Sequence, residues 1–200
     1  MSKMKIGIIG AGAVGTAFAK HVTAAGYEVV ISNSRGGDTL KEKIKQIGGN
    51  IIAGSAQEAA EADVVFLAVR WEHVQQVLST ISLEGKILID PTNSDLPEFV
   101  LTDSGGKTSS EVVSQWAKGA KLVKAFNTLY AEILAKTPQT NGGNRVIFYS
   151  GNNDDAKDIL SGILNRIGFA GVDLGSLNEG GKLQRFPGGP LPTLNLIKLK

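Results

Sequence analysis

The stretch KIGIIGAGAVGTAFA, residues 5–19, constrains this chain more than any other feature. It passes from β-branched apolar residues into glycines at 10, 12 and 15. Val14, Phe18 and Val22 then recur at helical spacing up to a stop at Gly26. A G-x-G-x-x-G spacing is weak evidence in a chain with 25 glycines. Its place between a strand and a helix is specific, because there each glycine has a job. The first permits the tight turn, the second lets a diphosphate approach the backbone, and the third lets helix and strand pack closely. The backbone from Gly10 through Ala11, Gly12, Ala13 and Val14 to Gly15 is thus the expected dinucleotide cradle, with the positive end of the helix dipole behind it.

The alternation continues beyond the first unit. Short β-rich runs at 4–9, 28–31, 51–52, 63–69, 86–90, 120–126, 145–150 and 170–174 are separated by amphipathic helical patterns. DVVFLAV, residues 63–69, is apolar throughout, as a strand covered on both faces should be. Ser55 with Glu58 and Thr108 with Glu111 have the spacing of capping boxes. The pattern predicts an α/β fold: a Rossmann-type doubly wound, mostly parallel sheet of about eight strands in three layers. No linker or repeat interrupts it, so residues 1–200 read as one domain, long enough to bury roughly 70% of its unfolded surface. Residues 91–107, rich in Pro, Asp, Ser and Gly, read as a long functional loop. The tail, residues 176–200, is irregular but carries Leu191, Leu194, Leu196, Ile197 and Leu199, so it should pack on this subunit or on another.

Charge and composition narrow the function classes. Lysine and arginine total 21 against 19 acids, which leaves no basic field for nucleic acid or an anionic membrane. Cysteine is absent, which excludes disulfides and thiolate chemistry and suits a cytoplasmic location. MSKMK before an apolar run has the outline of a signal peptide, but the glycine spacing argues against one. No later uncharged run reaches the ~18 residues of a membrane span.

The end of the second strand selects the dinucleotide. An NAD site places a carboxylate there for the ribose hydroxyls, and a 2′-phosphate would be repelled by it. This chain has Ser32, Asn33, Ser34 and Arg35 instead. Arginine holds phosphate oxygens through two bonds, Asn33 and Ser34 add donors, and the amides of Gly36 and Gly37 offer an anion nest. The expected cofactor is NADP(H).

IGIIGAGAVG, ISNSRG, the WEH of LAVRWEH, IDPTN, VVSQWAKGAKLVKAFNTL and FAGVDLGSLNEGG with QRFPGGPL span nearly the whole chain. In these stretches it resembles the coenzyme F-420-dependent NADP oxidoreductases and the oxidoreductase domain of the STEAP metalloreductases. The resemblance implies hydride transfer between NADPH and a small-molecule redox acceptor, coenzyme F-420 or a flavin (FMN or FAD), with ferric reduction through flavin in some relatives. It further implies that Ala68, Val69, Arg70 and His73 line the ribose and nicotinamide side. Thr92, Asn93, Ala125, Phe126 and Asn127 would wall the nicotinamide pocket, and family habit together with the apolar tail implies a homodimer. Arg70 departs from the family pattern, which commonly has proline there, so the acceptor is left open.

Hydride transfer between two rings asks the protein for stacking and water exclusion rather than for a reactive side chain. Accordingly no catalytic side chain and no metal site are expected, and the pocket candidates are His73, Asn93, Phe126 and Asn127. His73 reads equally as a cofactor contact or a helix cap, His21 as a solvated helix residue, Trp71 as core and residues 152–155 as a helix cap. Two other readings compete. A β-hydroxyacid dehydrogenase or imine reductase would need a large helical C-terminal domain, usually dimeric, which the about fifty residues after the seventh strand cannot supply. A non-catalytic NADP(H) sensor or partner subunit would bind without turnover.

Overall fold

Strand β1 (Lys5–Ile9) feeds the glycine turn and helix α1 (Ala13–Ala24), which returns the chain to β2 (Glu28–Ser32). The computed structural model describes residues 4–94 and 106–199. After β2 come a 3₁₀ turn at Gly37–Leu40, α2 (Lys41–Ile47), β3 (Ile51–Ala53) and α3 (Ala56–Ala60). Next are β4 (Val64–Leu67), α4 (Trp71–Ser79), β5 (Ile87–Asp90), α5 (Ser109–Trp116) and β6 (Lys121–Ala125). The remainder is α6 (Ala131–Leu134), β7 (Gln139–Thr140), β8 (Gly143–Gly151), α7 (Asp154–Arg166), β9 (Ala170–Asp173), α8 (Leu177–Gln184) and β10 (Ile197–Leu199). Of the expected 91–107 loop, residues 95–105 lie outside the described residues.

The strands form one sheet in the order β10-β8-β6-β5-β4-β1-β2-β3, with β7 and β9 also paired to β8. Strands β1 to β6 run parallel, and β8 is antiparallel to β6. The period-2 geometry of a strand sends alternate side chains to opposite layers. Val64 and Phe66 join Ile6, Ile8, Phe18 and Leu160 on the face covered by α1 and α7, whereas Val65 and Leu67 join Val74, Leu88 and Val113 beneath α4 and α5. That makes three layers, the doubly wound arrangement expected. It also puts the carboxyl ends of β2, β1, β4, β5 and β6 side by side along one edge. Four strand spacings of ~4.8 Å give that edge a run of roughly 19 Å, enough for an extended dinucleotide.

Two features differ from the sequence expectation. Besides the eight expected strands there are two short ones, β7 and β10. The tail is also regular: it forms α8, and β10 pairs antiparallel with β8 of the same chain, Ile197 opposite Arg145. Helix α8 starts with a third capping box, Ser176 with Glu179, and Asn152 Oδ1 accepts from the Leu177 amide beside it. Asn153 caps α7 by accepting from the Ala156 amide, as expected for residues 152–155. Among the described residues no helix is long and apolar enough to cross a membrane, and no group of three His, Asp or Glu side chains could hold a metal.

Candidate cofactor and acceptor site

The glycine turn behaves as three distinct constraints. Gly10 has φ +107°, and a Cβ there would overlap the Ala68 carbonyl at the end of β4. A Cβ on Gly15 would overlap the Gly10 carbonyl and stand 3.0 Å from the Ala68 Cβ, so helix and turn touch through this residue. Gly12, by contrast, has nothing within 4 Å of a Cβ. Its freedom from neighbours marks open space directly above the turn, the space a diphosphate needs. Gly12 is also the N-cap of α1, with no side-chain cap on the helix, and the first intrahelical bond recorded is Thr16 N–H to its carbonyl at 2.9 Å. The amides ahead of Thr16 lack intrahelical partners and are available to an anion. Ala13 is exposed, Val14 packs half-buried on the core, and Gly15 is buried, so these three serve through the backbone.

At the end of β2 the buried Ser32 hydroxyl donates to the Ile8 carbonyl, tying β2 to β1. Asn33 shapes the segment after it. Its Oδ1 accepts from the Arg35 amide at 3.0 Å, and its Nδ2 donates to Thr39 Oγ1 at 2.8 Å, closing residues 33–39 into a compact turn. Ser34 and Arg35 are exposed on that turn, and the Arg35 guanidinium makes no ion pair among the described residues. The one acid nearby, Asp38, is matched by Lys41 at 2.9 Å. Gly36 sits at φ 84°, ψ 161°, not in the left-handed helical conformation a nest uses, so anion binding here falls to side chains. A cation with no signal in the sequence reaches in from α2: Lys43 Nζ donates to the Ala11 carbonyl at 2.6 Å, bridging α2 to the glycine turn.

Gly10, Ala11, Gly12, Asn33, Ser34, Arg35, Ala68, Val69, Arg70 and His73 all border one cleft of about 950 Å³. Arg70 precedes α4 and holds Glu72 at 3.1 Å, with both side chains largely exposed. His73 is exposed in the first turn of α4, its Nε2 3.5 Å from Glu72 Oε1. Neither side chain caps α4.

The ends of β5 and β6 carry a different chemistry. Asp90 and Lys124 are opposite one another in the ladder, fully buried, and paired at 3.1 Å. Asp90 Oδ1 accepts from the Thr92 amide and hydroxyl, and Lys124 Nζ also donates to the Thr92 carbonyl. Beyond them Asn127 Nδ2 donates to Asn93 Oδ1 at 2.9 Å, and Asn93 Nδ2 returns a bond to the Asn127 carbonyl at 3.1 Å. These two asparagines border a smaller cleft of about 80 Å³, completed by Thr128, Tyr130 and, from the tail, Phe186 and Thr193. The Thr128 hydroxyl is buried there without a partner among the described residues.

Two of the expected pocket walls point elsewhere. Ala125 is buried in the core, and the Phe126 ring packs edge-on against Phe18, Phe66 and Phe169 at 5.2–6.4 Å. The idea that this ring serves the pocket is corrected: Phe126 has φ 67°, which turns its side chain inward while the chain bends to present Asn127. His21 is corrected as well. It is half-buried against Phe169, its Nε2 lies 2.7 Å from the Leu134 carbonyl, and burial lowers its pKa below the usual value. Thr128, Gln184 and Phe186 lie in stretches that carry the family resemblance, KAFNTL and QRFPGGPL, but the sequence does not single them out as site residues; the S-x-x-E spacing of residues 176–179 is the one local sign of the helix that delivers Gln184.

Comparison with known proteins converges on this geometry. Residues 5–94 match the family model "NADP oxidoreductase coenzyme F420-dependent". The crystal structure of a hypothetical protein of Sinorhizobium meliloti, SMa0349, is 42% identical with a TM-score of 0.88, over 99% of this chain and 96% of that one. A candidate F420-dependent NADP-reductase from Arthrobacter sp. FB24 shares the fold at 23% identity and a TM-score of 0.74, over 98% of this chain and 100% of that one. Metalloreductase STEAP3 of Rattus norvegicus is 28% identical over 94% of this chain, which spans only 37% of that protein. The open space over the glycine turn, an arginine in place of a carboxylate just after β2, and the match of residues 5–94 to the family model agree: the first half of this chain carries the pattern of the coenzyme F420-dependent NADP oxidoreductases, and over its whole length the chain has the fold of a reductase of that kind.

Proposed function

We propose that this protein transfers hydride between NADPH and a planar deazaflavin or flavin acceptor, coenzyme F420, FMN or FAD. The observation that carries the reading is the order of groups along the sheet edge. Cations stand at the β2 end, bare backbone at β1, and amide and hydroxyl donors at β5 and β6, where the acid and base, Asp90 and Lys124, are buried against each other.

When bound, NADPH supplies the hydride, two electrons with one proton. The chain's residues then have positional roles. Arg35, Ser34 and Lys43 hold the 2′-phosphate side, the turn from Gly10 to Gly15 accommodates the diphosphate, and Ala68 to Arg70 with His73 follow the cofactor across β4. Asn93, held in place by Asn127, presents an amide N–H at the nicotinamide end, and the exposed rings of Tyr130 and Phe186 beside it offer apolar faces to a planar acceptor. The second proton that completes acceptor reduction comes from solvent, which suits a cleft where, among the described residues, the ends of β5 and β6 carry no titratable side chain other than the buried Asp90–Lys124 pair. Exposed Leu194, Leu196 and Leu199 at the β10 edge support a homodimer, which a monomeric mass in solution would refute.

The test is NADPH oxidation followed at 340 nm with coenzyme F420, FMN, FAD and a ferric chelate supplied in turn. Turnover with at least one of the ring acceptors is the expected outcome. NADPH binding without oxidation by any acceptor would overturn the reading and favour a sensor.

A further inference from the structure

Gln184, the last residue of α8, is completely buried, although it comes from the segment that looks least ordered in sequence. Every polar atom of its side chain is engaged. Oε1 accepts from the Ser150 hydroxyl at 2.7 Å, while Nε2 faces the Phe148 carbonyl at 3.1 Å, Asn127 Oδ1 at 3.2 Å and the Lys124 carbonyl at 3.4 Å. Its own carbonyl accepts from Asn127 Nδ2 at 2.7 Å.

Counting donors fixes Asn127. A carboxamide has two N–H groups, and both on Asn127 are spent, one on the Gln184 carbonyl and one on Asn93 Oδ1. Its oxygen receives Gln184 Nε2, so a flipped Asn127 would bring N–H against N–H and oxygen against oxygen. Asn93 is fixed in turn: its oxygen is taken by Asn127 and one N–H by the Asn127 carbonyl. One Asn93 N–H is left without a partner among the described residues, in the same cleft as the unpartnered Thr128 hydroxyl.

We propose that Gln184 is a positioning residue for hydride transfer, which through Asn127 sets the direction of the free Asn93 N–H at the β5–β6 end of the cleft. This rests on the proposed function, since it takes that end to be where nicotinamide and acceptor meet. The tail is tied to the same place a second time, by Thr193 N–H to the Thr128 carbonyl at 2.7 Å, so α8 and the residues after it form one wall of the pocket. Burial makes the arrangement rigid, because an unmade bond here cannot be replaced by water at low cost.

The experiment uses the full chain with Gln184→Met, which keeps the length of the side chain, and Ser150→Ala, which removes one bond to Gln184 if the first variant folds poorly. Each is combined with Asn127→Ala. NADPH dissociation constants should stay within about twofold, turnover should fall about tenfold or more for Gln184→Met and less for Ser150→Ala, and bound-NADPH fluorescence should change without acceptor. In the Asn127→Ala background the second change should cost less than about twofold more, because the relay is already cut. Independent, multiplying losses, or an NADPH affinity that falls in parallel with turnover, would overturn the proposal. Its failure is separable from that of the function. If wild type reduces an acceptor but both variants match it, positioning fails alone. If wild type reduces none while the fluorescence change persists, the acceptor assignment fails alone.

Discussion

Replacing the glycines of the turn one at a time should separate binding from folding. Gly12 adopts φ −73°, ψ −170°, which any residue can take, and a Cβ there meets nothing. Alanine loses a little as an N-cap and gains a little by stiffening the unfolded chain, so Gly12→Ala should change stability by no more than about 1 kcal/mol. In a chain of this size that is a shift in Tm of roughly 2–4 °C. The same methyl occupies the space over the turn, and a loss of tenfold to a hundredfold in NADPH affinity, about 1.4–2.8 kcal/mol, is expected. Gly15→Ala is the converse. Its methyl would overlap the Gly10 backbone carbonyl, which belongs to the turn itself and cannot swing away as a side chain could. A cost of about 2 kcal/mol or more, roughly 4–8 °C in Tm, is expected. Calorimetric unfolding and NADPH titration of both variants provide the assay. A Gly12→Ala protein that loses several kcal/mol yet binds NADPH normally would refute this assignment of the turn.

Other perturbations act on single contacts. Arg35→Ser, which removes a guanidinium free of any ion pair among the described residues, should weaken NADPH about tenfold and leave NADH unchanged; Arg35→Asp should reverse or abolish the preference, and an unchanged ratio of dissociation constants would contradict the phosphate role. Lys124→Met leaves Asp90 buried without its partner and should cost about 3–5 kcal/mol in urea unfolding, a loss that Asp90→Asn in the same chain should partly restore. His21 has its pKa lowered in the fold by burial, so the unfolded chain binds the proton more readily. His21 should therefore subtract stability as pH falls below 6.5, and the slope between pH 7.5 and 5.5 should flatten in His21→Gln.

Much of the fold was legible because its signals are local. Apolar strands, helical spacing and two S/T-x-x-E boxes mark most of the elements, and the glycine turn states its own constraints. Helix α8 escaped because Gly180 and Gly181 lie inside it, and each glycine lowers helix propensity by about 1 kcal/mol. The reason for them is tertiary: a Cβ on Gly180 would overlap Ser150 on β8, and one on Gly181 would stand 3.0 Å from the Thr108 hydroxyl that caps α5. For the site, the β2 turn could be read from residue type alone. Lys43 could not, since its partner Ala11 is 32 residues away, and neither could the half-burial of His21, whose carbonyl partner lies 113 residues on. Phe126 shows the remaining limit: sequence places an aromatic at a strand end, but only its positive φ decides which way the ring turns.

The central claim is that hydride passes directly from NADPH to a ring held beside it. Comparing NADPH with NADPH deuterated at the transferred nicotinamide position, under single-turnover conditions with coenzyme F420 and then FMN, tests it most directly. The account predicts a primary isotope effect and, with the deazaflavin, deuterium retained on the reduced ring, with NADH far less effective. Saturable NADPH binding with no label transferred to either acceptor would contradict it.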